Sequence, residues 1–360
     1  MKVRFVTPPE AQQVGGIANA VEGLREALQQ QDVKVLLGGD PGDAEAVHHF
    51  HGLWNPSHSR LATRLRKCGR PYVVSPHGML EPWAFRHRRW KKLPYFWLIE
   101  RKFLAGARSL FVTSRMEAEH LGRLVRHPCV ELLPLGCRDR RGPDCAAARA
   151  ALGWSADERR IIFLSRLDVK KGLDLLLQAM SGEGPDWKGW RLIVVGDGEP
   201  AYVASLKAMA ATASARLPPV EWIGAVWGDA RWRYLQGADL FCLPTHSENF
   251  GIAVLEALHV GTPVLTTDQT PWRDHAGLEG LFIAKPEIPS LQEALSRART
   301  VGNWSVDNRR ELARWAEENF AWDKLVSAYI RSYQTAMEIG RPGLQAGGET
   351  SSRGCLTQSN

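Results

Sequence analysis

Short apolar runs alternate with segments of helical periodicity along most of this chain. Residues 2–7 (Lys2-Val3-Arg4-Phe5-Val6-Thr7) read as a first strand, residues 17–30 as an amphipathic helix and residues 33–37 as a second strand. Further apolar runs at 47–50, 72–75, 109–113 and 130–134 are separated by helical segments. A second round begins near Arg160, with strands at 161–165, 191–195, 220–223, 239–243 and 263–266 and helices near 173–180, 202–211, 231–236 and 251–260. Helices near 306–318 and 322–337 close the pattern. Such alternation predicts an α/β protein with parallel sheets covered on both faces. An Arg-, Gly- and Pro-rich stretch at 136–144 marks a boundary. The expectation is two Rossmann-like doubly wound domains facing a central cleft, residues 1–140 and 145–321. A Gly/Ser/Thr-rich tail at 341–360 has too few apolar residues to order itself.

Composition narrows the class. At 360 residues, 44% hydrophobic and 24% charged, the chain has room for two cores and matches a soluble globular protein. No apolar run reaches the roughly 20 residues needed to cross a bilayer. The N-terminus reads as a strand and is too short for a signal peptide. The six cysteines (68, 129, 137, 145, 242 and 355) form no C-x-x-C pair, which fits a cytoplasmic location and neither a disulfide framework nor a zinc site. The net charge of +7 is uneven: from Arg86 to Arg108 stand Arg86, Arg88, Arg89, Lys91, Lys92, Arg101, Lys102 and Arg108 against Glu100 alone, mixed with Trp90, Tyr95, Phe96 and Trp97. Two readings stand: a solvated basic helix face, or a face for an anionic membrane surface or a phosphorylated acceptor. No nucleic-acid-binding motif accompanies the charge.

The chemistry concentrates at predicted strand ends. Glu248 and Glu256 flank Asn249-Phe250-Gly251-Ile252, between the strand at 239–243 and the helix that follows. One carboxylate lies in the loop and the other in the helix, so both point toward the carboxyl edge of a sheet, where open α/β folds bind ligands. Acids that accept from hydroxyls, beside a helix N-terminus that accepts phosphate, suit a nucleotide sugar. Arg166 and Lys171 lie in the turn after the strand at 161–165, where the helix dipole disfavours cations unless an anion joins them. Gly196-Asp197-Gly198 and Gly15-Gly16 stand at strand-to-helix turns, either as plain turns or as points of close backbone approach to a ligand. His77 ends the strand at 72–75 and projects from the sheet edge toward the cleft. His49 and His51 share one strand face, but no cysteine or acid completes a metal site. No D-x-D occurs, which fits a site that offsets diphosphate charge with Arg166, Lys171 and helix N-termini.

Taken in order, Gly15-Gly16, His77-Gly78, Ser165-Arg166-Leu167 to Lys171-Gly172, Gly196-Asp197-Gly198, Glu248 to Glu256 and Gly261-Thr262-Pro263-Val264 make the chain resemble the group-1 (family 4) retaining glycosyltransferases of the GT-B fold. His51-Gly52-Leu53-Trp54, Pro76 to Trp83 and Thr270-Pro271-Trp272 resemble a bacterial subgroup that builds surface polysaccharide or lipopolysaccharide. The resemblance implies a metal-independent transfer from a nucleoside-diphosphate sugar to a hydroxyl of a glycan acceptor, lipid-linked in that subgroup, at the cytoplasmic face. It implies that Glu256 accepts from the ribose, that Glu248 faces the donor sugar, that Arg166 and Lys171 hold the diphosphate with amides of Gly16 and Phe250 to Ile252, and that His77 meets the sugar near the reacting carbon. It also implies that a helix at 322–339 packs back on the N-terminal domain and that the loop 8–14 serves the acceptor. Asn249 stands where many members have glycine. A nucleotide-sugar 2-epimerase, a phosphorylase carrying pyridoxal phosphate, and a non-catalytic membrane-surface partner in glycan assembly are the alternatives.

Overall fold

The computed structural model describes residues 1–8, 16–86, 89–137, 142–155, 157–182, 186–300 and 304–338. Gly15, the proposed acceptor loop beyond Pro8 and the tail at 341–360 therefore lie outside the described residues. The chain forms two compact units: Met1–Gly136 joined by the segment that begins at Trp322, and Cys137–Ala321.

In the first unit the strands are β1 (Lys2–Val6), β2 (Lys34–Leu37), β3 (Ala46–His51), β4 (Tyr72–Ser75), β5 (Ser109–Val112) and β6 (Val130–Leu132). They are joined through helices α1 (Gly16–Gln29), α2 (Pro56–Lys67), α3 (Pro82–Arg86), α4 (Arg89–Tyr95), a π turn (Phe96–Glu100), α5 (Arg101–Ala105) and α6 (Arg115–Gly122). The sheet order is β2-β1-β3-β4-β5-β6, all parallel. Every residue of β3, β4 and β5 is buried, as expected of strands covered on both faces. Local chemistry sets the helix starts. The Asn55 side chain accepts from the Ser57 N–H ahead of Pro56, and Ser114 caps α6 through the Glu117 N–H.

The second unit holds β7 (Arg159–Leu164), β8 (Trp190–Val195), β9 (Val220–Gly224), β10 (Leu240–Leu243), β11 (Val264–Thr267) and β12 (Leu281–Ala284). Its helices are α7 (Cys145–Ala151), α8 (Leu173–Ser181), α9 (Pro200–Thr212), α10 (Ala230–Gly237), α11 (Ile252–His259), α12 (Ile288–Thr300) and α13 (Val306–Phe320). The parallel order β12-β11-β10-β7-β8-β9 is the doubly wound one, with the first strand central and later strands added on either side. The sequence pattern does not mark β12 or α12. Leu281–Ala284 is a four-residue apolar run, too short for periodicity to separate strand from helix.

The last helix, α14 (Trp322–Glu338), is amphipathic, burying Trp322, Val326, Tyr329, Tyr333 and Ala336 along one stripe. Tyr333 Oη pairs with His49 Nδ1 at 2.7 Å, and Tyr329 Oη donates to the Leu133 carbonyl at 2.9 Å. The helix thus closes the core of the first unit. Two doubly wound units are what the alternating pattern leads one to expect.

Candidate functional site

In the second unit β7 and β10 are neighbours, and the chain leaves them toward opposite edges of the sheet. The crevice past their carboxyl ends is the switch point at which such sheets bind ligands. The two loops there are tied together through backbone. Thr245 Oγ1 and the His246 N–H both donate to the Lys170 carbonyl, each at 2.8 Å. Asp168 accepts from the Lys170 N–H at 2.9 Å and fixes the short 3₁₀ turn Val169–Lys171. Gly172 ends that turn at φ +71°, where an added Cβ would lie 2.1 Å from the Pro244 carbonyl oxygen. A side chain here would push the loops apart. Gly172→Ala is expected to lower stability by about 1–3 kcal/mol or more. Gly153→Ala is the control, because Gly153 has φ +66° and nothing within 4 Å. A larger loss of melting temperature at Gly172 isolates the clash, and equal losses refute it.

This close approach sets Lys171 against Glu248. The Lys171 ammonium hydrogen-bonds Glu248 Oε2, and the two side chains are 13% and 16% exposed. Burial alone would raise the Glu248 carboxyl, but the charges of Lys171, Lys170 and Arg166 and the Lys171 hydrogen bond hold it below the ordinary value. Glu248 is therefore a carboxylate, and its amide donates to the Gln269 carbonyl at 3.1 Å. Arg166 is exposed and lines a cavity of about 250 Å³ with Asp168, Asp197, Gly198, Glu199 and Tyr202. Gly196 stands at the rim of the same strand ends, where the Ser165 carbonyl fills the space a Cβ would need. Gly251, left-handed at φ +78°, opens α11 without a capping side chain, and a Cβ there would press on Trp272 and Glu248. The first amides of α11 thus receive no capping hydrogen bond from the Gly251 position, and the Asn249 Oδ1 just ahead of them in the chain is buried with no hydrogen-bond partner among the described residues. Glu256, within α11, pairs with Arg231 of α10 at 2.8 Å.

In the first unit His77 follows β4 with φ +52°, and Gly78 with φ +70°. The Glu117 carboxylate holds this double left-handed turn, accepting from the Gly78 N–H at 2.6 Å and the Thr113 N–H at 2.8 Å. The His77 ring stacks on His51, with Nε2 3.1 Å from His51 Nδ1. Burial pushes the His77 imidazole down to about 4, so it is neutral near pH 7. His49 is a core residue bonded on both ring nitrogens, to Tyr333 and to Ser75 Oγ. Among the described residues, no group of three or more His, Cys, Asp or Glu side chains is placed to hold a metal ion.

Arg166, Lys171, Glu248, Asn249, Phe250, Gly251 and Ile252 thus follow the carboxyl ends of β7 and β10, Gly196 follows that of the next strand, β8, and Glu256 lies further along α11 against Arg231. Gly16, the first residue of α1, and His77 belong to the first unit. Two residues escape a reading of the sequence. Arg231 is a cation in the first turn of α10, the same dipole mismatch that singles out Lys171. Glu117 follows Ser114 at capping-box spacing and so passes for a local cap, although its carboxylate reaches across to the His77 turn.

Residues 145–307 match the family model of glycosyl transferases group 1, and residues 4–136 match the glycosyl transferase 4-like domain. The chain is 30% identical over 378 aligned positions to the D-inositol 3-phosphate glycosyltransferase of Mycobacterium tuberculosis, covering 95% of this chain and 75% of that protein. The enzyme of that name from Segniliparus rotundus is 29% identical over 218 residues, and there the chain spans 45% of the relative's length. Among solved structures, sucrose-phosphate synthase from Thermosynechococcus elongatus has a TM-score of 0.77 at 18% identity, over 94% of this chain and 100% of that one. Anabaena HepE, solved in complex with UDP and glucose, has a TM-score of 0.71 at 16% identity, over 93% and 100%. At such identities the likeness is one of fold.

Proposed function

We infer, since this chain belongs to the group 1 glycosyl transferases, that its second unit binds the diphosphate of a nucleotide-sugar donor past β7 and β10 and that the enzyme passes the sugar to an acceptor hydroxyl with retention of configuration. The observation that carries this reading is Lys171 held against Glu248 with Arg166 exposed alongside. An ammonium has three donors, and Glu248 occupies one, so the others remain for phosphate oxygens. As the glycosidic bond breaks, negative charge grows on the departing diphosphate and positive charge on the sugar. Arg166, Lys171 and the first amides of α11 answer the former. A phosphate oxygen takes the acceptor proton on the face from which it leaves, which gives retention without a covalent intermediate. Glu248 accepts from sugar hydroxyls, Glu256 accepts from the ribose, and neutral His77 hydrogen-bonds the sugar. No metal enters this scheme.

UDP-glucose is the first donor to try, given the ligands of HepE. The acceptor is a glycan hydroxyl, lipid-linked in the surface-polysaccharide reading. The name of the mycobacterial relatives favours a second class, a phosphorylated cyclic polyol. The test is a thermal-shift series with nucleosides, nucleoside diphosphates and their sugars. Diphosphates should raise the melting temperature and nucleosides should not; a series without any shift removes the reading. Product analysis of donor incubated alone distinguishes transfer from epimerisation, since an epimer there displaces transfer. Arg231→Met should weaken nucleotide binding about tenfold, the worth of one charge-assisted hydrogen bond, by freeing the Glu256 carboxylate from its orientation. The loss should vanish with a 2′,3′-dideoxy nucleotide. An equal loss with both nucleotides contradicts the ribose role.

A further inference from the structure

Residues 52–108 contain thirteen Lys and Arg and only two acids, Glu81 and Glu100, each 1% exposed. Glu100 turns inward to accept the Trp54 N–H at 2.9 Å. Neither acid of this stretch therefore reaches its surface to offset the cations there. Exposed cations lie on α2 (Arg64, Arg66, Lys67) and α5 (Arg101, Lys102), and Arg66 Nη1 donates to the Lys102 carbonyl at 3.2 Å, which joins the two helices.

The π turn supplies the apolar half of this surface. Phe96 and Glu100 face the core, while the three residues between them all face out. Trp97 is 53% exposed, Leu98 70% and Ile99 37%. A run of three large apolar side chains in solvent is not what a fold alone selects. Residues four apart share a helical face, so with Phe96 and Glu100 turned inward the three between them project together. Arg101 lies over the Trp97 ring at 5.0 Å, so charge and aromatic surface are interleaved. Among the described residues no helix is long and apolar enough to cross a membrane.

We propose that this face docks the protein on an anionic lipid surface, with Trp97, Leu98 and Ile99 entering the headgroup–acyl boundary and the α2 and α5 cations meeting the headgroups. An apolar wedge with cations beside it is the pattern of an interfacial anchor. A second copy of the chain is a poor occupant, because pairing the face with itself would bring two cationic surfaces together. The proposal does not rest on the donor assignment.

The experiment is flotation of the full chain with vesicles of mixed phosphatidylglycerol and phosphatidylcholine, beside vesicles of phosphatidylcholine alone. Binding is expected only to the anionic vesicles and should fall as salt rises. The double variant W97S/L98S should bind about tenfold less or weaker still, having lost the inserted area. R101E/K102E should weaken binding and flatten its salt dependence. All four side chains are exposed, so a thermal melt should show both variants folded as the parent is. No flotation of the parent at low salt, or equal flotation of parent and W97S/L98S, overturns the proposal. So does sedimentation showing a dimer that W97S/L98S dissolves.

Discussion

Lys171→Ala is expected to lower turnover about 10²–10³-fold, the usual loss when one partner of a developing anion is removed. A second effect travels with it. Glu248 is held ionised against its burial by Lys171 together with Lys170 and Arg166, so removing the ammonium lets its carboxyl rise and leaves a poorly solvated charge. The single variant should therefore also melt lower. Combining Lys171→Met with Glu248→Gln removes both charges. That double variant should regain melting temperature and still transfer sugar poorly, because a restored core does not restore a cation for the diphosphate. Steady-state kinetics and melting curves on the parent and both variants separate the roles. Unimpaired turnover in Lys171→Ala is the result that ends the assignment.

The histidines of the first unit should make the protein acid-labile. His48, His49, His51, His58 and His77 all have imidazoles depressed by burial, His77 to about 4, and the mutual repulsion of neighbouring rings adds to the effect at His49 and His51. Among the described residues, His49, His51 and His77 face Phe5, Phe111, Tyr333, Ser75 and one another, and no carboxylate pairs with them. The unfolded chain binds protons near pH 6.5 and the folded one does not, so this stability is fully present above about 6.5 and is lost progressively toward about 4. The summed loss is on the order of a few kcal/mol, moderated by the partial exposure of His77. Chemical denaturation at stepped pH reads it out, and His49→Gln should flatten the slope. A midpoint that holds level from about pH 8 to about pH 5 contradicts a histidine origin for the acid lability.

What the sequence revealed and what it hid follow from the range of the interactions. The doubly wound architecture was readable because buried parallel strands such as Ile161-Ile162-Phe163 and Leu240–Leu243 are apolar runs and alternate with helical periods. Arg166, Lys171 and Glu248 were readable as candidates because each sits where a strand gives way to a helix, and Glu256 because it stands about a turn and a half into the helix that follows. Strand order was not: nothing local to Arg159–Leu164 says that Leu240–Leu243 will lie beside it, and that neighbourhood is what puts Lys171 against Glu248. Arg231 and Glu117 stayed hidden for the same reason, since their partners Glu256 and Gly78 are remote in sequence. The outward Trp97-Leu98-Ile99 run was hidden by a different cause. Which of the apolar residues from Phe96 to Ile99 turn inward is decided by the elements packed against them, and no residue pattern announces a π turn.

The chain passes into the second unit at Cys137 and out of it at Ala321, and these two residues form a parallel bridge, with the Cys137 amide donating to the Phe320 carbonyl at 2.9 Å. Entry and exit are therefore stapled side by side, as they are in domains that tolerate transplantation. If the second unit holds the donor as proposed, exchanging it between relatives at these two joints should graft a new donor preference onto an unchanged host.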